Sequence, residues 1–462
     1  MMEPEPKSFK REISANAQLN VPADFTATTA TGIGFGETLW FNAWGDNYYQ
    51  SLMGTPNLFT FELSQPGAIV NAGNLAVTEG NLILLGNPVI NTGNLIASGG
   101  QIAIASIPGQ NRVRISQPGH VLSLELEPLT DSSGQLLPIT PLDLAALLTG
   151  SGEGMETGLA VQADGTVALS DSDSAIPTQG TTIVSGTLDV SADAPTTNHQ
   201  SITIIGDQIG LFGADINASG MNGGGQVRIG GDVQGQGMIP NATHTFISHD
   251  SLIRADAGIA GDGGEVIVWA DDTTIFYGNI SARGGVNPGD GGFVEVSGKN
   301  NLAFSGVVNV GATNGVNGTL LLDPTNITIV ATGANDNQLN PNVPNVGDPA
   351  GTIFASDGGA VDFTLSSAIL ENQIENLSFI LDAGLRHIPL AALHDGNDFI
   401  IKRYSVGLMP SISLTDTRYQ DITTLKVLAM GASEFTELDP TKLLKYFHAR
   451  RTRGAKPLSV ST

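Results

Sequence analysis

The sequence predicts a mainly β protein wound as a parallel β-helix, and three observations carry that reading. Motifs of about twenty residues return in register. Glycine punctuates them, at 58 of 462 residues against a usual share of about 7%. Apolar residues between the glycines alternate at the period of a strand rather than a helix.

The clearest repeat sets AIVNAGNLAVTEGNLILL (68–85) against PVINTGNLIASGGQIAIA (88–105). At an offset of twenty, Val70 meets Ile90, Asn71 meets Asn91, Asn74 meets Asn94, Leu75 meets Leu95 and Leu82 meets Ile102. Each unit holds two or three short strands parted by Asn or Gly. Twenty residues at about 3.3 Å each wind into one coil of a solenoid. A second version runs through 216–229, 253–268, 280–296 and 308–322, where an apolar-x-small pair precedes a Gly-rich turn and a Gly-x-Val or Gly-x-Leu strand. Ile216, Ile253, Ile280 and Val308 mark it, so loops of unequal length separate the coils. Over 63–330 this spacing predicts about ten to thirteen coils.

Around that stack the chain divides further. Residues 1–14 are polar and lack the apolar core of a signal peptide, which is compatible with cytoplasmic retention. Near 140–150, Thr140 as N-cap, Pro141 in the first turn and Gly150 as terminator predict a short helical insertion. Residues 331–375, rich in Asn, Pro and Gly at their start, read as a linker. The apolar runs that follow, over 376–438, suit buried strands of a small, partial α/β segment. Residues 439–462 form a basic tail, and eleven of the twenty basic residues lie from Arg386 onward.

Composition excludes several function classes. Forty-five acidic against twenty basic residues, net −25, disfavours nucleic acid and anionic membranes as partners. The absence of Cys removes disulfides, Cys-based metal sites and a Cys nucleophile. No run of eighteen apolar residues predicts a transmembrane helix.

Long motifs place the chain beside known families. LNVPADFTATTATGIGFG, QPGAIVNAGNLAV, RVRISQPGHVLSLELEP, DGGEVIVWADDTTIFYGNISARGG, DGGFVEVSGK and GTLLLDPTNITIV are similar to filamentous-haemagglutinin-type, two-partner-secretion proteins of cyanobacteria, over about 15–330. The resemblance implies a right-handed coil, a remnant of the haemagglutinin-type secretion domain at 15–62, and β-helix repeats over 63–330. It also implies passage through an outer-membrane secretion barrel to the exterior or the cell surface. ILDAGLRHIPLAALHDGNDFIIKRYSVGLMPSISLTDTRY and LKVLAMGAS resemble the first part of the caspase-like CHAT domain, over about 376–435. That family's catalytic His and Cys lie further downstream, and His394 does not occupy the His position, so the resemblance implies a partial fold without catalysis.

Candidate sites each have a plainer reading. The stretches Gly261–Gly264 and Gly289–Gly292, both GDGG, resemble Ca²⁺-binding turns, but a spacing of 28 instead of nine favours tight corners. Asp215, Glu265, Asp271, Asp272 and Glu295 are placed by position for glycoside chemistry, yet the rod's scarcity of basic and aromatic residues favours solubilising surface acids. GIGFG (32–36) reads as a turn, and His244 and His249 as ordinary loop or strand residues. The expected protein is therefore not an enzyme and has no catalytic, cofactor or metal residues. It is expected to be an adhesive scaffold that meets surface polysaccharide or cell-surface ligands. A peptidase-related or regulatory protein, and a non-functional gene fragment, are the alternatives.

Overall fold

The computed structural model describes residues 11–128 (apart from 14–16, 37, 64–65, 79 and 118–119), 159–161, 167–169, 180–192, 200–324 and 327–330, with Ile369 and short strands at 363–366, 378–381, 428–432 and 447–451. Two compact units divide it, residues 1–406 and 407–462. The helical insertion expected near 140–150 and the residue His394 lie outside the described residues.

The first unit is a parallel β-helix of three sheets, of eight, eight and nine strands. Among the described residues, eight complete coils each contribute one strand to every sheet. The first coil is formed by Arg11–Ile13, Gln18–Val21 and Phe25–Thr28, the second by Ile69–Asn71, Asn74–Val77 and Asn81–Gly86. Among the described residues seven complete coils fall within 63–330, fewer than the spacing predicts there, and Asn111–Gln117 and His120–Pro128 leave the stack for another sheet instead of adding a turn to it. Nine strands at the usual separation make the third sheet about 38 Å tall.

Register follows the repeats. Ile90 pairs with Val70, Asn91 with Asn71, Leu95 with Leu75 and Ile102 with Leu82. Ile216, Ile253, Ile280 and Val308 stack in sequence along the second sheet. Like residues thus land on like residues, and the interior fills with aliphatic columns such as Leu82, Ile102, Ile202, Val227, Val266 and Val294, all fully buried. Each such side chain contributes about 1.5–3 kcal/mol of transfer free energy.

Buried polar groups are satisfied in ladders that repeat with the coils. Asn71 donates through Nδ2 to Asn91 Oδ1 at 2.7 Å and accepts from the Gly73 N–H, while Asn91 donates to the Gly93 carbonyl. Thr182, Thr245 and Thr274 in the first sheet each donate a hydroxyl to a carbonyl where the third sheet ends, at Ile205, Trp269 and Ser297. These bonds hold the corner at which one coil passes to the next.

The third sheet is buried on both sides along its early coils. Gly32–Phe35, Leu39–Asn42, Leu58–Phe61, Asn111–Gln117 and His120–Pro128 form a separate five-stranded antiparallel sheet. Its Phe59, Phe61, Val113 and Ile115 pack on the outward residues Ile83, Leu85, Ala103 and Ala105. Strands such as NLILLG and QIAIAS therefore read as continuous apolar runs instead of alternating ones. GIGF is a strand here, paired on both sides, where the sequence suggested a turn.

Strands also occur within the stretch read as a linker. Phe363–Ser366 pairs in parallel with Ile327–Val330, and Leu365 is buried in the β-helix core. Ser378–Leu381 then adds a ninth strand to the third sheet, alongside Thr319–Leu322. In the second unit, Phe447–Arg451 of the basic tail pairs antiparallel with Leu428–Ala432.

Glycine is required where the second sheet turns into the third. A Cβ on Gly264 would lie 2.1 Å from the Gly225 carbonyl oxygen, one on Gly292 2.1 Å from that of Gly264, and one on Gly318 2.0 Å from that of Gly292. Backbone cannot yield as a side chain can, so Gly292→Ala is expected to cost about 2–4 kcal/mol or more in a denaturant titration. Gly258→Ala, whose Cβ would meet nothing nearer than 3.6 Å, is the control and is expected to change stability by less than about 1 kcal/mol.

Candidate functional site

The acidic residues singled out in the sequence do not converge. Asp215 lies on the second sheet and pairs with Arg254 at 2.6 Å. Glu265 lies on the third and pairs with Arg228 at 2.6 Å. Asp271 accepts from the Trp269 indole N–H and from Asn241, while Asp272 accepts from Asn300 and lies 3.2 Å from His244 Nε2. These four are structural acids of the rod, each occupied by a neighbour.

Glu295 departs from the expectation of a solubilising surface acid, since it is fully buried. Strand alternation turns it to the outer face of the third sheet, in one column with Arg228, Ile267 and Leu321. There it is covered by the loop from Gly230 to Thr243. The Gln234 backbone N–H donates to both Glu295 oxygens, at 3.2 and 3.1 Å, and Gln234 Nε2 donates to Asp323 Oδ2 at 3.0 Å. Asp232 caps the turn by accepting from the Val233 N–H, and it also binds Arg228. Gly235 lies flat on the Trp269 ring, where a Cβ would approach Cε2 to 2.5 Å. Burial pushes the Glu295 carboxyl up to about 7. Hydrogen bonds from Gln234 and Ser297 oppose the shift, and the charges of Asp323 and Asp232 add to it.

The GDGG stretches are corners, and their carboxylates bind backbone. Asp262 Oδ1 accepts from the Asp290 N–H at 2.7 Å, and Asp290 Oδ1 accepts from the Val316 N–H at 2.8 Å. Each Asp thus ties its coil to the next. No group of three or more His, Asp or Glu among the described residues is arranged to hold a metal ion. His244 is buried on the first sheet, whereas His249 is exposed and stacks on Tyr277 at 5.5 Å.

The exposed face most suited to contact is one that sequence reasoning did not single out. Beyond Leu39–Asn42 of the antiparallel sheet, Trp44, Tyr48, Tyr49 and Met53 are exposed, Tyr48 by 82%. Tyr49 lies 6.1 Å from Phe41, and Arg112 sits over the Trp40 ring at 5.7 Å. Four large apolar side chains within ten residues form the signal that could have found it.

Comparison with known proteins adds two family matches. Residues 13–140 match the TPS secretion domain, a span covering the first three coils and the antiparallel sheet. Residues 360–455 match the CHAT domain. No curated protein matches the chain. Among solved structures, the HMW1 secretion domain from Haemophilus influenzae is similar at 22% identity and a TM-score of 0.34, over 68% of this chain and 77% of that one.

The Asp262 ladder generates a test. Asp262→Asn, which keeps an acceptor oxygen, is expected to be as stable as the parent, and Asp262→Ala to lose about 1 kcal/mol. Millimolar Ca²⁺ is expected to leave the Tm where EDTA leaves it. A Ca²⁺-dependent rise in Tm that Asp262→Asn abolishes would contradict the assignment.

Proposed function

We propose that this chain is the non-catalytic β-helical scaffold of an exported, haemagglutinin-like protein. The observation that carries the reading is the match of residues 13–140 to a TPS secretion domain. That family implies an outer-membrane transporter as partner and a destination outside the cell or on its surface. The fold supports it physically: a stack of coils whose contacts are mostly with the next coil can form progressively as chain emerges from a pore. The net charge of −25 keeps such a rod soluble and apart from polyanions. Contact with surface polysaccharide or other cells would be weak and multivalent, with the exposed aromatics around Trp44 and Tyr48 as the natural point of attachment.

Fractionating cells that carry the cognate transporter tests this reading. The intact chain is expected in the culture supernatant or outer-membrane fraction, and disrupting the transporter should abolish that signal. Intact chain confined to the cytoplasm with a working transporter would overturn the reading.

A second reading rests on the CHAT match at 360–455, which points to a peptidase-related or regulatory role. The chain contains no Cys to serve as the nucleophile of a caspase-like dyad. A Cys-directed activity probe is expected to leave the purified chain unlabelled. Robust peptide cleavage by that preparation would favour the second reading over the first.

A further inference from the structure

We propose that Glu295 is a proton-operated latch: protonated, it holds the apex (232–238) of the loop over 230–243 down on the outer face of the third sheet, and ionised, it releases that apex. The loop is an excursion between the strands Gln226–Ile229 and His244–Ile247. Its ends are anchored independently: Ile239 joins the apolar cluster that holds Ile205, and Ala242 lies in the β-helix core. Its apex, residues 232–238, is bound to the sheet through few groups. Gln234, held at a positive φ of 54°, gives its backbone N–H to Glu295 and its side-chain amide to Asp323. On the far side Asn241 donates to Asp271, and Gly235 rests on Trp269.

The groups around Glu295 leave its negative charge poorly compensated. From the strand Gln226–Ile229 comes Arg228, but its guanidinium is committed to Asp232, Glu265 and Gln226. The loop itself contributes Asp232, the strand Glu265–Ala270 contributes Glu265, and the segment beyond Thr319–Leu322 contributes Asp323. On its own strand, Ser297 offers a hydroxyl. Among the described residues no ion pair reaches Glu295. A buried carboxylate with one bifurcated N–H, one hydroxyl and two nearby acids is costly when ionised.

Lifting the apex would return water to the carboxylate. In the open form the group titrates near its ordinary value of 4.5, and in the closed form near 7. The closed form is therefore favoured fully below the first value. It loses that advantage as pH rises to the second, and the balance is level above it. Opening would uncover Trp269 and the outward apolar residues of the third sheet beside it.

Hydrogen exchange of the 232–238 apex in the intact chain, corrected for intrinsic rates between about pH 5 and pH 9, tests the latch. Opening is expected to increase roughly fortyfold between about pH 5 and pH 7, and about twofold more before it levels above about pH 8. Glu295→Gln, which keeps an acceptor for Gln234 and cannot ionise, should hold the apex closed throughout. A flat profile in the parent, or the same step in Glu295→Gln, would overturn the proposal. Should that variant fail to fold, Glu295→Met, which likewise cannot ionise, takes its place. A pH-independent exchange rate at 232–238 in that variant supports the latch, and the parent's step in it overturns the proposal.

Discussion

Each coil of this protein is built on the backbone of its neighbour, and the distance between coils is set where the second sheet bends into the third. At that corner the chain of one coil passes within van der Waals contact of the carbonyl oxygens of the last, along the column from Gly225 through Gly264 and Gly292 to Gly318. A side chain there would lift the next coil away. The inter-strand hydrogen bonds of all three sheets would lengthen together. The aliphatic columns depend on the same spacing, because Val266 touches Val227 and Val294 only while the ladders remain in register. The Asn, Thr and Asp ladders then satisfy the polar groups that close approach buries.

A second constraint follows from the first. Sheets wound this way have an outer face as well as an inner one, and the outer face must be wetted or covered. Along the early coils the third sheet is covered by the antiparallel sheet, with Phe59 and Phe61 against Leu85 and Ala105. Later it is covered by the loop carrying Gln234 and Gly235, over Trp269 and Glu295. The first cover is apolar and permanent in character. The apex of the second is held through the carboxylates of Glu295 and Asp323, so its hold depends on protonation.

The coil register was legible in the sequence because it is a local, repeated property. Asn71 over Asn91 and Ile253 over Ile280 can be read from spacing alone. The number of coils was not, since spacing cannot distinguish a coil from an excursion that leaves the stack and returns. Asn94 stacks on Thr187 across such an excursion. Glu295 was misread because its fate depends on a loop more than fifty residues away in sequence. A clue was present in its column, where Ile267 and Leu321 are apolar at positions that should face water. The exposed aromatics at Trp44 and Tyr48 belong to no coil repeat, so periodicity does not mark them. Within the CHAT-like sequence, Ser378–Leu381 forms a strand of the β-helix, and no periodic motif announces that pairing.

Stacking across the longest excursion is the most demanding consequence of the account, and the absence of native Cys makes it directly measurable. Cysteines placed at Asn94 and Thr187 would lie opposite one another on adjacent parallel strands, within the Cα separation a disulfide tolerates. The Asn94→Cys/Thr187→Cys protein is expected to close an intramolecular disulfide under mild oxidation. The closure should be seen as a mobility shift reversed by reductant, as for Asn74→Cys/Asn94→Cys within the contiguous repeats. Closure of the Asn74/Asn94 pair with two persistently free thiols at 94 and 187 would contradict it, because coils on either side of the excursion would then not be neighbours.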